Sequence, residues 1–423
     1  MMRHLIIGAS AAGIRAAEKL REFDPKAEIV MVSKDTQIYS RCMLHLRLSG
    51  ERDDAGLDFR ESDFFGRNRV EWLSGRTVAS IDVAAKTVAL EGGETLGYDR
   101  LLIASGASSF IPPVPNLRGA NNVHCLRTMN DVGALLSLAR NGARAAVIGG
   151  GLVGMDAAVA LLERGVAVTL VEMAPRILAI QLDDYAASRY EDLLRRHGVD
   201  VVTSAKVESG VPDGRGGIRG ITLAGGREID CDFCVVAAGV APNIGFVDPE
   251  RIGLTPNGRA IAVDRRCRTS ASDVFAAGDV TFLAPIWPEA TRQAEVAAAN
   301  MAGRDASLPE EDWSWTNSMN FFGLATVSYG HTSMADPSFR QEIYVDGDVY
   351  RKVILKDGVI HGALFQGDID NCGVYLHLVR DGVPVDGIGK SPLRLSYADF
   401  FRQAANGEFV WDACEATPTR DLR

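Results

Sequence analysis

The most constraining feature of the sequence is one strand–turn–helix–strand unit near the middle of the chain. An apolar strand at residues 143–148 leads into GGGLVG at residues 149–154, which matches the G-x-G-x-x-G pattern. A helix at residues 155–164 and a strand at residues 166–171 follow, and Glu172 stands 18 residues beyond the last glycine of the pattern. Such a turn lets a pyrophosphate approach the helix N-terminus, and the acid suits a ribose hydroxyl. The chain is therefore predicted to contain an α/β unit that binds a dinucleotide.

A second unit of the same kind opens the chain. An apolar strand at residues 5–7 meets GASAAG at residues 8–13, and an alanine-rich helix and another strand follow. Ser10 stands where the pattern has its second glycine, so the match is partial. Ser33 stands where the ribose-binding acid is expected, with Asp35 two residues later. The N-terminal unit is predicted to be a second dinucleotide turn of a parallel sheet.

Three further strands end in small residues at which a nucleotide can pack closely. They end in Ala104-Ser105-Gly106, in Gly239 and in Gly278-Asp279. An aspartate at the carboxyl end of a strand accepts hydrogen bonds from sugar-like hydroxyls. Alternatively, Asp279 lies in a turn and caps the next segment. We therefore expect these strand ends to line the rest of the two nucleotide sites.

Length and charge limit the class of protein. A chain of 423 residues is too long for one ordinary core, so two to four domains are expected. The net charge of −10 disfavours nucleic acid or an anionic membrane as the main partner. No apolar run approaches the ~20 residues that span a bilayer, and the N-terminus leads directly into a strand, so a cytoplasmic protein is expected. The seven scattered cysteines form no disulfide framework.

Two dinucleotide units, with the second inserted into the first, form a familiar organisation. Over roughly residues 1–305 the chain resembles the FAD- and NAD(P)-dependent pyridine nucleotide-disulfide oxidoreductase family. The resemblance rests on GASAAG, the strand end IASGA, GGGLVGMDAA, AAGVAPN, AAGDV and the helical stretch IWPEATRQAEVAAANMAG. It implies an α/β fold with two Rossmann-like dinucleotide-binding domains and a C-terminal α+β interface domain. The expected bounds are 1–118 with 245–307 for FAD, 119–244 for NAD, 308–395 for the third domain and 396–423 for a tail.

The resemblance also implies which residues bind each cofactor, and it implies no metal site. Those expected at FAD lie in the first glycine turn, the strand ends and the helix that points at the flavin: Gly8, Ala9, Ser10, Ala11, Ala12, Gly13, Ser33, Lys34, Arg41, Cys42, Ala104, Ser105, Gly106, Gly278, Asp279, Pro288, Glu289 and Ala290. Those expected at NAD are Gly149, Gly151, Leu152, Val153, Gly154, Glu172 and Gly239. Glu172 would repel a 2′-phosphate, so NADH is favoured over NADPH. Many members have Glu where this chain has Asp156, which is one methylene shorter.

Cys42 lies in the segment YSRCMLHLRLSG, residues 39–50, called here the cysteine segment. The spacing of Cys42 to Gly50 resembles that of the redox cysteine in NADH peroxidase, NADH oxidase and coenzyme A-disulfide reductase. Arg41, His45 and a helix N-terminus would make a thiolate there more reactive. The segment also resembles the corresponding stretch of ferredoxin, rubredoxin and nitrite reductase flavoproteins, in which that position is not redox active. Ala11, where peroxidases and oxidases have histidine, disfavours peroxide or oxygen chemistry.

The C-terminal region is predicted to be a sheet with a helix. Strands are expected at residues 320–329, 341–345, 350–355 and 359–366, and helices at 373–380 and 397–405. This pattern resembles the rubredoxin and nitrite reductase branch. Cys231 and Cys234 have C-x-x-C spacing, but residues three apart on a strand face opposite sides, which disfavours a metal or dithiol role. Cys372 and Cys414 are expected to be structural.

The sequence predicts an FAD enzyme that takes hydride from NADH and passes electrons onward. In the leading hypothesis the acceptor is a protein or metal centre, such as an iron-sulfur protein, and Cys42 is a bystander or tunes the flavin. In the second, Cys42 cycles as a redox thiol on a disulfide such as coenzyme A disulfide. In the third, the chain is a flavin-holding subunit of a larger redox complex. The chain is expected to be a monomer or homodimer.

Overall fold

The computed structural model describes residues 2–309 and 316–411. The first unit is built on a parallel five-stranded sheet with helices on one face and an antiparallel meander on the other. In spatial order its strands are Val274–Ala276, Arg100–Ile103, Arg3–Ile7, Glu28–Ser33 and Val70–Ser74. The helices are Ala11–Phe23 and Trp287–Met301, and the meander strands are Val78–Asp82, Thr87–Leu90 and Thr95–Gly97. The sheet strands read as continuous apolar runs because both faces are covered.

The second unit repeats this architecture. Its parallel sheet has, in spatial order, the strands Asp200–Val202, Ala167–Val171, Arg144–Ile148, Phe233–Val236 and Val123–His124. The helices packed on it are Met129–Leu138, Leu152–Glu163 and Asp184–Arg196, and its meander strands are Val207–Pro212, Ile218–Leu223 and Glu228–Asp230. The chain leaves and re-enters the first unit through Ala107–Ser109 and Val240–Pro242, which pair antiparallel. The second unit is thus inserted into the first.

The third unit is an antiparallel five-stranded sheet. Its strands, in spatial order, are Thr316–Phe321, Leu324–Gly330, Val359–Gln366, Val349–Lys356 and Arg340–Asp346. The helix Cys372–Arg380 covers one face. Met319, Phe321, Tyr350 and Leu364 on this sheet share an apolar core with the helix Asp184–Arg196 of the second unit. The predicted fold class is confirmed, and the predicted domain boundaries stay predictions.

Two local predictions in this third unit were wrong. The expected strand at residues 320–329 is the second half of a hairpin plus its turn, because Phe322 and Gly323 both adopt positive φ (55° and 80°) and reverse the chain. The expected helix at 397–405 is only a 3₁₀ turn, Tyr397–Phe400. The next residues, Phe401–Gln403, pair instead with Phe409–Trp411. Cys414 lies outside the described residues.

Within the described ranges, no helix is both long and apolar enough to cross a membrane. In the same part of the chain, no group of three or more His, Cys, Asp or Glu side chains is arranged to hold a metal ion. Cys231 and Cys234 are both buried, and burial raises the pKa of each thiol. Buried neutral thiols behave as small apolar side chains, and both cysteines belong to one apolar cluster of the second unit.

Candidate functional site

The three glycines of the second G-x-G-x-x-G pattern, Gly149, Gly151 and Gly154, have different structural roles. Gly149 has φ +108°, and a Cβ there would lie 2.4 Å from the Ala237 carbonyl oxygen. A Cβ on Gly154 would lie 1.8 Å from the Gly149 oxygen. These two are required by the turn and by helix–strand packing. Gly151 differs, because a Cβ there meets no heavy atom within 4 Å and its φ is −78°. No neighbouring atom among the described residues requires glycine at 151, which fits a pyrophosphate approaching the backbone.

The first glycine turn has the same geometry. Gly8 has φ +112°, and a Cβ there would lie 2.1 Å from the Ala104 oxygen. A Cβ on Gly13 would lie 1.9 Å from the Gly8 oxygen. Ser10 occupies the N-cap of the helix Ala11–Phe23 in an extended conformation, and its side chain makes no capping hydrogen bond. The partial sequence match is therefore a complete structural match, because both turn glycines are in place and only the approach position carries a hydroxymethyl group.

Three predicted flavin-site segments converge on Gly278. A Cβ on Gly278 would lie 3.1 Å from the Ala12 Cβ and 3.5 Å from the Ala290 Cβ. Pro288 lies in the first turn of the helix Trp287–Met301, where its missing N–H is not needed. Glu289 is buried and ion-paired with Arg292. The N-terminus of this helix thus reaches the same place as the first glycine turn.

Other predicted positions lie at the ends of strands in the first unit and at the linkers to the second. The Ser105 hydroxyl donates to the Asn243 carbonyl oxygen (2.8 Å), and the Asn243 amide donates back to the Ser105 oxygen (2.9 Å). Gly106 and Gly239 both have positive φ, 67° and 108°. Ser33 is buried, receives the Trp72 indole N–H (2.9 Å) and donates to the Asp35 oxygen. Lys34 is exposed. These residues shape the strand ends as predicted, and their cofactor contacts stay predictions.

Two residues that sequence reasoning missed support the Gly278-Asp279 turn, Arg127 through Asp279 and Gln293 through the neighbouring Gly278 and Thr281. Arg127 places its Nη2 2.6 Å from the Asp279 carboxylate and its Nε 3.2 Å from the Ala107 oxygen. Gln293 is buried and accepts hydrogen bonds from the Gly278 N–H and the Thr281 hydroxyl, both 2.9 Å. No local motif marks Arg127, whereas Gln293 lies in the helical stretch IWPEATRQAEVAAANMAG. Asp279 is therefore a positioned carboxylate that accepts a hydrogen bond from a guanidinium. A carboxylate can accept hydrogen bonds from the hydroxyls of a dinucleotide, and a guanidinium can donate them to its phosphates.

The Arg41 guanidinium is bound by residues other than Cys42, whose thiolate it was expected to promote. Its guanidinium lies 2.5 Å from Asp35 and also donates to the Tyr39 hydroxyl and the Arg127 carbonyl oxygen, both 2.9 Å. Cys42 occupies the 3₁₀ helix Arg41–Met43 with an exposed surface. Burial by the surrounding protein nevertheless raises the pKa of the Cys42 thiol, and the Arg127 charge offsets this only in part. The expectation that Arg41 and His45 promote the thiolate is therefore not supported.

His45 and Asp156 join the first and second units. The His45 Nδ1 lies 3.6 Å from the Asp156 carboxylate, which projects from the helix that begins after Gly151. Burial raises the pKa of Asp156 to about 7 and lowers the pKa of His45. Asp156 also acts on the Cys42 thiol by raising its pKa. The shorter side chain at 156 thus contacts the cysteine segment itself.

Because of the Asp156 carboxyl, we expect one contribution to the free energy of unfolding to fall as pH rises. Its folded pKa of about 7 lies above the ordinary 3.8, so the folded state binds more protons than the unfolded state between these values. Wild-type stability should therefore fall as pH rises towards 7. Asp156→Asn is expected to be more stable than wild type at pH 8, by about 1–3 kcal/mol, and equal to it near pH 4. Chemical denaturation at both pH values measures this.

Asp232→Asn is the matched control for this prediction. The Arg144 guanidinium lies 3.0 Å from Asp232 and lowers the pKa of that carboxyl. Its contribution to stability is present above the ordinary pKa and is lost as pH falls, which is the opposite sign. Asp232→Asn should therefore be less stable than wild type at pH 8. If Asp156→Asn is also less stable than wild type at pH 8, the Asp156 carboxyl is not held protonated by burial.

Two glycine turns on separate parallel sheets, in units joined by paired linkers, are the arrangement expected of an oxidoreductase with two dinucleotide sites. The chain belongs to the pyridine nucleotide-disulphide oxidoreductase family, whose model matches residues 2–300. This membership confirms the predicted cofactors, FAD and NADH. The protein is an FAD-dependent NADH oxidoreductase.

Individual relatives carry different names. The chain is 29% identical, over 88% of its length and 87% of the relative, to the NADH-dependent phenylglyoxylate dehydrogenase subunit epsilon of Aromatoleum evansii. It is 31% identical, over 74% of its length and 79% of the relative, to the protein named "Probable ferredoxin reductase CtmF" of Castellaniella defragrans. Among solved structures, it is similar to an NAD-dependent persulfide reductase from A. fulgidus, with TM-score 0.83, 27% identity and coverage of 93% and 80% of the two chains.

Proposed function

We propose that this oxidoreductase passes electrons from NADH to a protein acceptor with a metal centre, such as an iron-sulfur protein, without a catalytic role for Cys42. Bound FAD accepts a hydride and can release electrons singly or as a pair. The observation that carries the proposal is the engagement of Arg41 with Asp35, Tyr39 and Arg127 rather than with Cys42. Burial, in addition, raises the pKa of the Cys42 thiol. A thiol that stays protonated is a poor nucleophile. The similarity to a protein named as a ferredoxin reductase supports the same acceptor class.

NADH rather than NADPH is the proposed donor. The Glu172 carboxylate lies at the end of the strand Ala167–Val171 and accepts hydrogen bonds from the Gly150 N–H (2.5 Å) and the Ala174 N–H (2.6 Å). The guanidinium of Arg176 donates to the Ala179 and Leu182 oxygens and lies 2.8 Å from Asp184. Arg176 is therefore engaged within its own loop. A fixed carboxylate at this position favours a ribose 2′-hydroxyl and repels a 2′-phosphate.

Anaerobic titration of wild type and Cys42→Ser with NADH tests the role of the cysteine. Both proteins are expected to take up the same number of NADH equivalents per FAD, because no thiol redox couple adds to the flavin. Reduction of a [2Fe-2S] ferredoxin should be equal within about twofold, since a change well under 1 kcal/mol in the barrier is expected. Stopped-flow absorbance and steady-state rates measure the two quantities.

Cys372→Ser controls for replacing a partly accessible thiol outside the site, because Cys372 belongs to the third unit. A second equivalent taken up by wild type and Cys372→Ser, but not by Cys42→Ser, would contradict the proposal. That result would favour the second candidate, reduction of a small disulfide or persulfide by Cys42. The exposure of Cys42 and the similarity to a protein named as a persulfide reductase support this candidate.

The third candidate is a subunit that supplies electrons to a larger enzyme. It is supported by the similarity to a protein named as a dehydrogenase subunit, which extends over 87% of that relative. Such a chain would oxidise NADH with ferricyanide but reduce free ferredoxin slowly. The cytoplasmic location and the oligomeric state expected from the sequence stay predictions.

A further inference from the structure

The third unit contains a cavity of about 400 Å³, lined only by residues of that unit. Its walls are formed by the strands Arg340–Asp346 and Val349–Lys356, by Asp368 and by the 3₁₀ helix Pro392–Arg394 with the residue before it. The volume lies within the range of about 300–1,000 Å³ that is typical of sites for small organic molecules. The cavity shares no residue with the glycine turns or the cysteine segment.

The strand Val349–Lys356 presents alternate residues to two faces of its sheet. Tyr350 and Lys352 point towards the second unit, where the Tyr350 hydroxyl and the Lys352 ammonium lie 2.5 and 2.9 Å from the Asp183 carboxylate. Val349 and Arg351 lie on the opposite face and line the cavity. A molecule in the cavity therefore leaves the contact between the second and third units undisturbed.

Three charged residues line the cavity, and two of them are paired with each other. The Arg351 guanidinium donates to the Asp368 carboxylate at 2.6 Å and to the Leu393 carbonyl oxygen at 3.3 Å. The third, Arg394, is exposed, and its guanidinium makes no hydrogen bond or ion pair with the part of the chain that the structure describes. Two guanidinium groups and one carboxylate leave the cavity with one net positive charge, although the whole chain has a net charge of −10.

The rest of the lining is mainly apolar. It includes the partly buried side chains of Val349 and Leu393 and the ring of Tyr344, a residue that is 39% exposed. A guanidinium binds a carboxylate through two parallel hydrogen bonds. The Asp368 carboxylate on the same wall repels a second negative charge, which disfavours a dianion such as a phosphate monoester. The lining therefore fits a molecule with one carboxylate and an apolar body.

We propose that this cavity binds a small organic monocarboxylate, with the carboxylate against Arg394 and the apolar body against the three apolar side chains. The hydrogen bond from Arg351 to the Leu393 oxygen ties the 3₁₀ helix to the sheet, so the walls are in place before a ligand binds. The site is independent of the proposed function, because none of its residues belongs to the predicted FAD or NADH sites.

Fluorine NMR of the full-length, FAD-bound protein tests the site, with oxidised NAD present to occupy the other nucleotide site. The probe is para-trifluoromethylbenzoate, and para-trifluoromethylbenzyl alcohol is its uncharged counterpart. Wild type is expected to bind the benzoate with a millimolar Kd and the alcohol about tenfold more weakly or less. Arg394→Gln removes the cation, so it should weaken binding of the benzoate by about tenfold or more. Arg394→Lys keeps the charge without the paired donors, so its affinity should fall between the two.

Arg340→Gln is the matched control, because Arg340 is an exposed arginine of the same sheet that does not line the cavity. It should bind the benzoate as wild type does. Each of three results would overturn the proposal: no binding of the benzoate to wild type at tens of millimolar, equal binding by Arg394→Gln and wild type, and equal binding of the benzoate and the alcohol. FAD content and the thermal unfolding midpoint identify any variant that fails to fold.

Discussion

Replacing Gly151 with valine is expected to lower kcat/KM for NADH by roughly 100-fold or more, a loss of about 3 kcal/mol of binding. The physical reason is the open space above this residue, where a Cβ meets no protein atom within 4 Å. The backbone φ of −78° suits any L-residue. Valine therefore fits the folded protein but obstructs an approaching pyrophosphate. Steady-state dye reduction with NADH measures the loss, and FAD absorbance with thermal unfolding measures what is retained.

Gly97→Val is the matched control, because Gly97 also has open space around its Cβ position but lies on a meander strand of the first unit. It should keep wild-type NADH kinetics. Gly154→Ala is the opposite control, since its Cβ would lie 1.8 Å from the Gly149 oxygen. That variant should lose folded protein rather than affinity alone. Unchanged NADH kinetics in Gly151→Val, with the fold intact, would remove the nucleotide from this turn.

The glycine turns could be predicted from sequence because all their determinants are local. The close approach of Gly13 to Gly8, and of Gly154 to Gly149, joins residues five apart in the chain. A strand, a turn and a helix within some thirty residues leave a periodic signature that a single sequence displays. Serine at position 10 obscured the first signature without changing the turn. The fold class followed from two such units in one chain.

The polar contacts around Asp279 and Cys42 could not be predicted in the same way. Arg127 and Asp279 are 152 residues apart, and His45 and Asp156 meet only because two separate units pack together. Arg41 precedes Cys42 directly, yet its guanidinium binds Asp35, Tyr39 and the Arg127 oxygen. The proximity of Arg41 to Cys42 in the sequence suggested that Arg41 activates the Cys42 thiol. The tertiary structure instead determines where the Arg41 charge lies. Side-chain direction is not encoded in a spacing pattern.

Lys352→Met is expected to lower the free energy of unfolding by about 3–5 kcal/mol, because it leaves a buried carboxylate without its cation. The Lys352 ammonium lies 2.9 Å from Asp183, with side-chain exposures of 7% and 10%. The Tyr350 hydroxyl donates to the same carboxylate oxygen at 2.5 Å, and burial together with this hydrogen bond raises the pKa of Tyr350. This cluster joins the third unit to the N-terminus of the helix Asp184–Arg196. Urea unfolding followed by fluorescence measures the effect.

Two variants test whether the loss of stability in Lys352→Met comes from the unpaired buried carboxylate rather than from losing an ion pair as such. Lys19→Met removes a lysine 2.7 Å from Glu22 on a helix surface and should change stability by no more than about 0.5 kcal/mol. Asp183→Asn combined with Lys352→Met removes both charges, so it should recover much of the stability that Lys352→Met loses. If Lys352→Met lowers the free energy of unfolding no more than Lys19→Met does, the Asp183 carboxylate is hydrated in solution. The third unit would then be held to the second by its apolar contacts and by other polar contacts, such as the ion pair of Arg189 with Asp348.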